Sequence, residues 1–372
     1  QEGNWDLVGN QTPVFFIRDA IKFPDFIHAM KPSPVTNVQD ANRVFDFLSS
    51  QPWATNMLTY VYGKQGVPTS YREQDGFGVH AYKLYNDKGE YKYVKFNFRS
   101  KQGVKGLNVK EAAEQQGKDF NHLTNDLYNN IYAGNFPKWD LYIQVLDPKD
   151  LGKFDFDPLD PTKIWPTELV PETKVGTLTL NRMPKNFFNE TEQSAFAPGN
   201  LVPGIEPSED RLLQGRIFSY SDTQMYRLGA NHQQIPVNRP VVNVNNNNQD
   251  GYMNVSERDS DVNYEPSRKE PKAATAKARA VQTPLTGTVQ QIGAKEQNFK
   301  QAGELYRSYT AKEKDDLIMN LAADLGAVKD SETKHIMLSY FYKADADYGT
   351  RMTKAVNGNL ATVKAKAAKL KD

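Results

Sequence analysis

The sequence predicts an α+β fold: an antiparallel sheet joined by short helices, then a long proline-rich excursion, then a C-terminal helical bundle. Three observations predict it. Stretches at 77–85, 91–99, 139–146 and 175–181 have strand character, the first two alternating apolar and polar residues as half-buried strands do. Residues 147–207 carry many prolines, aromatics and acids with little periodicity, which suits an ordered segment lying on other structure rather than a domain. From Phe299 onward, apolar residues recur at helical spacing. The expected divisions are 1–180 for the sheet and its connecting helices, 181–290 for the wrapping segment, and 291–372 for the bundle.

Taken in order, Gly9-Asn10 reads as a turn in which Asn10 tolerates a left-handed backbone, leading into a buried strand around Val14, Phe15 and Phe16. Pro24 can open a helix over 24–30, and 38–49 reads as another with Val44, Phe45 and Leu48 on one stripe. Residues 57–62 read as a strand. Asn86-Asp87-Lys88-Gly89 is a turn that makes 77–85 and 91–99 a hairpin. Asn108 with Glu111 forms a capping box, and Asp119 is expected to cap the next helix, whose Phe120, Leu123, Leu127 and Ile131 keep helical spacing. Residues 243–251 are loop, and 269–279, rich in Lys, Ala and Pro, are expected to be exposed and mobile. Thr310 with Glu313 is a second capping box, opening a helix that ends near Gly326. With the stripes at Phe299, Ala302, Leu305 and Tyr306, at Ile336, Met337, Tyr340 and Phe341, and at Tyr348, Met352 and Val356, this makes four helices, followed by a solvated Lys-Ala tail from 362.

Composition narrows the chemistry. At 372 residues and 38% hydrophobic content, the chain can bury a sizeable core in one large domain and a smaller one. Lys plus Arg (46) balance Asp plus Glu (45), so no overall attraction to nucleic acid or membrane is implied. The absence of cysteine excludes disulfides, thiolate metal sites and cysteine nucleophiles. No apolar run approaches the length that crosses a bilayer. The first residue is Gln1 and no signal sequence is visible, so the chain is expected to begin inside a longer protein. The compartment, cytoplasmic or periplasmic, stays undecided.

The distinctive stretch is 215–229. As a helix it places Arg216 one turn before Tyr220 and Arg227 two turns after, on one face. Two guanidiniums favour the phenolate, a hard anionic ligand able to hold ferric iron. The same spacing also suits a surface Arg-Tyr stacking pair.

The pattern Arg216-x-Phe218-x-Tyr220, flanked by Gly204-Ile205-Glu206-Pro207-Ser208 and Gln234-Ile235-Pro236-Val237-Asn238, resembles the haem-ligand signature of the monofunctional haem catalases, small-subunit type. The resemblance runs from the first residue to about Pro240 and persists more weakly to the C-terminus. It implies the second half of an antiparallel β-barrel, a homotetramer, haem b, and conversion of hydrogen peroxide to water and oxygen. By resemblance Tyr220 is the axial iron ligand, with Ser219 beside it and Arg216 tuning it, and His80 and Asp210 form a relay behind that arginine. Arg227 matches a haem-propionate contact, Asn10 lies on the peroxide side, and Val8, Phe15 and Phe23 are apolar residues around the haem and its channel. Gln11 and Gln224 depart from the family, which usually has Asn and often His there.

The family's distal histidine precedes the segment that begins at Gln1. The resemblance therefore implies that this histidine and the first half of the barrel lie on a missing part or a complementary N-terminal chain, and that the chain alone does not complete the reaction. A haem-binding fragment without turnover and an organic-hydroperoxide enzyme are the competing readings. Some catalases bind NADPH; here Asn56, Gln65 and Thr167 occupy places where such members have two histidines and an arginine, and only Arg99 keeps a cation. NADPH is not expected.

Overall fold

A computed structural model describes residues 3–242, 246–255, 257–270 and 296–371. Most of the expected mobile stretch at 269–279, and part of the expected loop at 243–251, lie outside these residues.

After a 3-10 turn at Ala20–Lys22, Pro24 in the first turn sets helix α1 (Phe23–Met30), and Asp40 caps α2 (Ala41–Leu48) by accepting from Asn42 N. A second 3-10 turn at Pro52–Ala54 runs into α3 (Thr55–Val61), where the sequence suggested a strand. The reason is burial on all sides: residues 55 to 60 are all buried, the polar Thr55, Asn56 and Thr59 included, so polarity carries no amphipathic period to tell helix from strand. Likewise Val14 and Ile17 are fully buried, but residues 11–19 form no regular strand.

The sheet comprises β1 (Gly76–Phe77), β2 (Tyr82–Tyr85), β3 (Tyr91–Ser100), β4 (Lys138–Leu146), β5 (Glu172–Thr179) and β6 (Ile205–Pro207). Every pairing is antiparallel, in the order β5-β4-β3-β2-β6 with β1 on β3, and among the described residues the sheet does not close. The β2–β3 hairpin turns where expected: Asn86 Oδ1 accepts from Lys88 N and Glu90 N, and Gly89 takes φ 82°. The expected continuous strand 77–85 is broken. Val79 sits at φ 64°, with His80 N donating to Gly78 O at 2.7 Å, a conformation costly for a β-branched residue.

Helices α4 (Val109–Lys118) and α5 (His122–Tyr132) connect β3 to β4. The Asn108–Glu111 capping box is formed, whereas Asp119 closes α4 rather than opening α5: its N–H donates to Gln115 O, its carboxylate accepts from Asn121 N, and Asn121 holds the N-terminal capping position of α5. The excursion after β4 is tied to the sheet by Gln144, whose amide donates to Trp165 O and Val170 O. It then returns through β6 into helix α6 (Arg211–Leu228).

The C-terminal region holds α7 (Lys300–Ser308), α8 (Ala311–Leu325), α9 (Ser331–Ala344), α10 (Ala346–Ala355) and α11 (Leu360–Ala367), one helix more than expected. Thr310 and Glu313 cap α8 reciprocally. The supposed solvated tail is α11, capped by Asn359, with Val363 and Ala367 one turn apart and buried. Phe45, Leu48 and Leu58 share a core with Phe299, Tyr306, Leu317, Met337, Phe341 and Tyr348, so α2 and α3 pack into the C-terminal helices.

Candidate active site

Helix α6 starts where Asp210 can cap it. One carboxylate oxygen accepts from Leu212 N at 2.9 Å and Leu213 N at 3.1 Å, and the helix closes at Gly229, φ 121°. Leu212 and Leu213 are buried and fix the helix's rotation. One turn on, Arg216 Nη2 donates to Tyr220 Oη at 2.8 Å, its guanidinium lies 4.9 Å from the Tyr220 ring centroid, and Nη1 reaches Val8 O at 3.3 Å. Arginine has no acceptor, so the phenol oxygen must accept and its outward lone pair faces away from the guanidinium.

Behind them, His80 Nδ1 lies 2.6 Å from the second oxygen of Asp210, both side chains 1% exposed. The distance fits an N–H donated by the ring to the carboxylate, which fixes the tautomer. The turn at Val79 delivers His80 to this position.

Tyr220, Arg216 and His80 line one cavity of about 320 Å³, together with Asn10, Phe15, Phe23, Leu212, Gly215, Phe218 and Ser219. Asn10 is not in a left-handed turn. It bridges to Phe77 through paired backbone bonds of 2.9 and 2.8 Å, which hold its side chain at the cavity wall. Val8 is not among the cavity-lining residues and meets the cluster through its carbonyl. Ser219 Oγ donates to Arg216 O at 3.4 Å.

Arg227 is not brought to the cavity. Its guanidinium donates to Glu192 O at 2.7 Å, Ser194 O at 2.6 Å and Gln224 Oε1: it shares a helix face with Tyr220 but lies two turns further along the axis, where the excursion crosses α6. Four of the five histidines do not line the cavity, and three of these bind backbone: His122 meets Thr69 O, His232 meets Gly229 O, and His335 accepts from Asn359 N. No cluster of three His, Cys, Asp or Glu side chains among the described residues is placed to hold a metal.

Sequence reasoning missed Gly215, whose role is close approach. A Cβ there would sit 2.1 Å from Ala20 Cβ, so the 3-10 turn at Ala20–Lys22 could no longer rest on α6. Gly215→Ala is expected to cost about 1–3 kcal/mol by overpacking and to splay the cavity wall; urea unfolding checks this.

This arrangement has close counterparts. A family model described as Catalase matches residues 1–271, and one described as Catalase-related immune-responsive matches residues 293–356. The chain belongs to the catalase family. It is 60% identical to a catalase of Vibrio parahaemolyticus over 369 residues, covering 99% of this chain and 73% of that protein. A catalase of Pseudomonas aeruginosa is also 60% identical, over 100% of this chain and 72% of its own length. The solved structure of a bacterial catalase superposes with a TM-score of 0.88 at 35% identity, over 96% of this chain and 74% of that one. Membership of the catalase family makes this chain an oxidoreductase acting on hydrogen peroxide. Catalases are typically oligomeric haem proteins, and the donor set here fits a haem: a single hard oxygen, held by a cation, at the edge of a cavity walled by Phe15, Phe23, Leu212 and Phe218. No described helix is long and apolar enough to cross a membrane.

Proposed function

We propose that Tyr220 is the proximal ligand of a haem iron and that Asn10 lies on the peroxide side, in the conversion of hydrogen peroxide to water and oxygen. The observation that carries this is the Arg216–Tyr220 bond at the cavity wall, which leaves the phenol oxygen as an acceptor toward the cavity. Bound haem b would supply an iron that can be oxidised and reduced again by two electrons. The protein's part is positional. Arg216 stabilises negative charge on the ligand oxygen, and Asp210 fixes both the start of α6 and the ring of His80. Phe15, Phe23 and Ser219 bound the haem space, and the Asn10 amide can donate to a peroxide oxygen. Among the five histidines only His80 lines the cavity, and Asp210 holds it on the Tyr220 side.

The test is to load the purified protein with haem, record oxygen release from peroxide, and read the ferric resonance Raman spectrum. An iron–phenolate band is expected; a histidine-type spectrum would overturn the assignment.

The partners proposed are hydrogen peroxide and further copies of this chain, a homotetramer. The excursion and α6 expose Phe187, Phe188, Phe196 and Tyr226, apolar side chains suited to burial by neighbouring subunits. We propose no NADPH site. Arg99, the one retained cation, is engaged by Glu172 at 2.6 Å and Asp75 at 3.1 Å, and Asn56 donates to Thr162 O at 3.1 Å. Calorimetric titration of the haem-loaded protein with NADPH is expected to give no saturable heat.

A further inference from the structure

Tyr82 on β2 is fully buried, packed against Phe96 at 6.3 Å and within the cluster that holds Leu213 and Ile217 of α6. Those two residues flank the turn of α6 that carries Arg216. The Tyr82 hydroxyl has no hydrogen-bond partner among the described residues. Buried hydroxyls are nearly always satisfied, by protein or by an ordered water, and such a water needs at least two polar partners.

Packing with Leu213 and Ile217 sets Tyr82 beside the turn of α6 that carries Arg216. Burial is the main cause that pushes the Tyr82 phenol up to about 12, and the charges of Arg216, Asp210 and Tyr220 act on it. Tyr82 therefore stays a neutral phenol at working pH, able both to donate and to accept. A guanidinium has five N–H donors, and the bonds to Val8 O and Tyr220 Oη use only two. The Asp210 carboxylate is already committed to the cap and to His80.

We propose that the Tyr82 hydroxyl holds one internal water shared with Arg216, and that this water positions the guanidinium against the Tyr220 oxygen. Tyr82 is thus a positioning residue: it acts on the ligand oxygen through Arg216 and touches neither peroxide nor haem. The proposal rests on the reading of Tyr220 as iron ligand, and the test separates the two.

The substitution is Tyr82→Phe, which keeps the ring against Phe96 and Leu213 and removes only the oxygen. In the haem-loaded wild type, a high-resolution crystal structure is expected to show a water within hydrogen-bond distance of both Tyr82 Oη and Arg216. Y82F is expected to lose that water, shift the iron–phenolate Raman band, and lower kcat several-fold with KM unchanged, while its melting temperature stays the same or rises. A wild-type structure without the water overturns the proposal, as does a Y82F band that stays in place while wild type shows one. A lower melting temperature with an unmoved band would show that the hydroxyl serves packing alone and would equally overturn it. If wild type has no iron–phenolate band, the Tyr220 assignment fails instead, and the water's presence in wild type and loss in Y82F still decide the water site.

Discussion

Tyr220→Phe is expected to remove peroxide dismutation while leaving the fold in place. The side chain lies at a cavity wall, half-buried, and among the described residues its oxygen accepts from Arg216 at 2.8 Å. Phenylalanine keeps the ring and the cation-π contact with Arg216, so α6 should still form. What is lost is the ligand oxygen itself. Groups one layer behind a metal ligand cost about 10–100-fold when removed, so loss of the proposed ligand should exceed that range. Oxygen release and the ferric spectrum of Y220F are the measurements. Retained turnover with an unchanged spectrum would place the ligand elsewhere.

The second large effect is expected at Asp210. Its carboxylate does two jobs: one oxygen caps α6 at Leu212 N and Leu213 N, the other meets His80. Asp210→Ala removes both at once. Losing a cap costs about 1 kcal/mol, and leaving the buried ring N–H of His80 without its acceptor costs about 1–3 kcal/mol. Asp210→Asn separates them, since its amide oxygen can still cap the helix while the carboxylate facing His80 is gone. The expected order of stability in urea is wild type, then D210N, then D210A. Equal stability for D210N and wild type would mean that the His80 contact adds little to folding, and its value would then be sought in the Tyr220 spectrum alone.

Local signals are legible in the sequence. The capping boxes at Asn108–Glu111 and Thr310–Glu313, the Asn86 to Gly89 turn and β4 all depend on residues close together in the chain, and all form. The misreadings have physical causes. Residues 55–60 are buried at polar and apolar positions alike, so helix α3 has no solvated face whose period the sequence could show. Asn10 reads as a turn because its true partner, Phe77, is remote in sequence. Nothing local announces that Val79 takes a positive φ, since valine is among the residues least suited to it. At the site, Arg216 and Tyr220 are readable because one helix carries both. Arg227 shares that helix, but its contacts with carbonyls of an aperiodic segment have no signal in the spacing. The His80–Asp210 pair spans 130 residues and is expected through family resemblance alone, never from spacing.

The bonds that tie the opening segment down also set the timing of the site's assembly. Asp6 accepts from Ala197 N and Asn200, Val8 O accepts from Arg216, and Asn4 donates to Asn238 O across 234 residues. On a ribosome, Asn10, Phe15 and His80 emerge long before the helix that completes their cavity. Val14, Phe15 and Phe16 can pack early on Met57, Tyr60 and Phe26, but until residues 197–238 have emerged the segment lacks the partners of Asn4, Asp6 and Val8 that close the cavity, a window for a chaperone or an early-bound haem. The cavity is thus expected to be a late product of folding, and pulse-labelled hydrogen exchange during refolding should show Asn10 and Phe77 protected after the hairpin of β2 and β3.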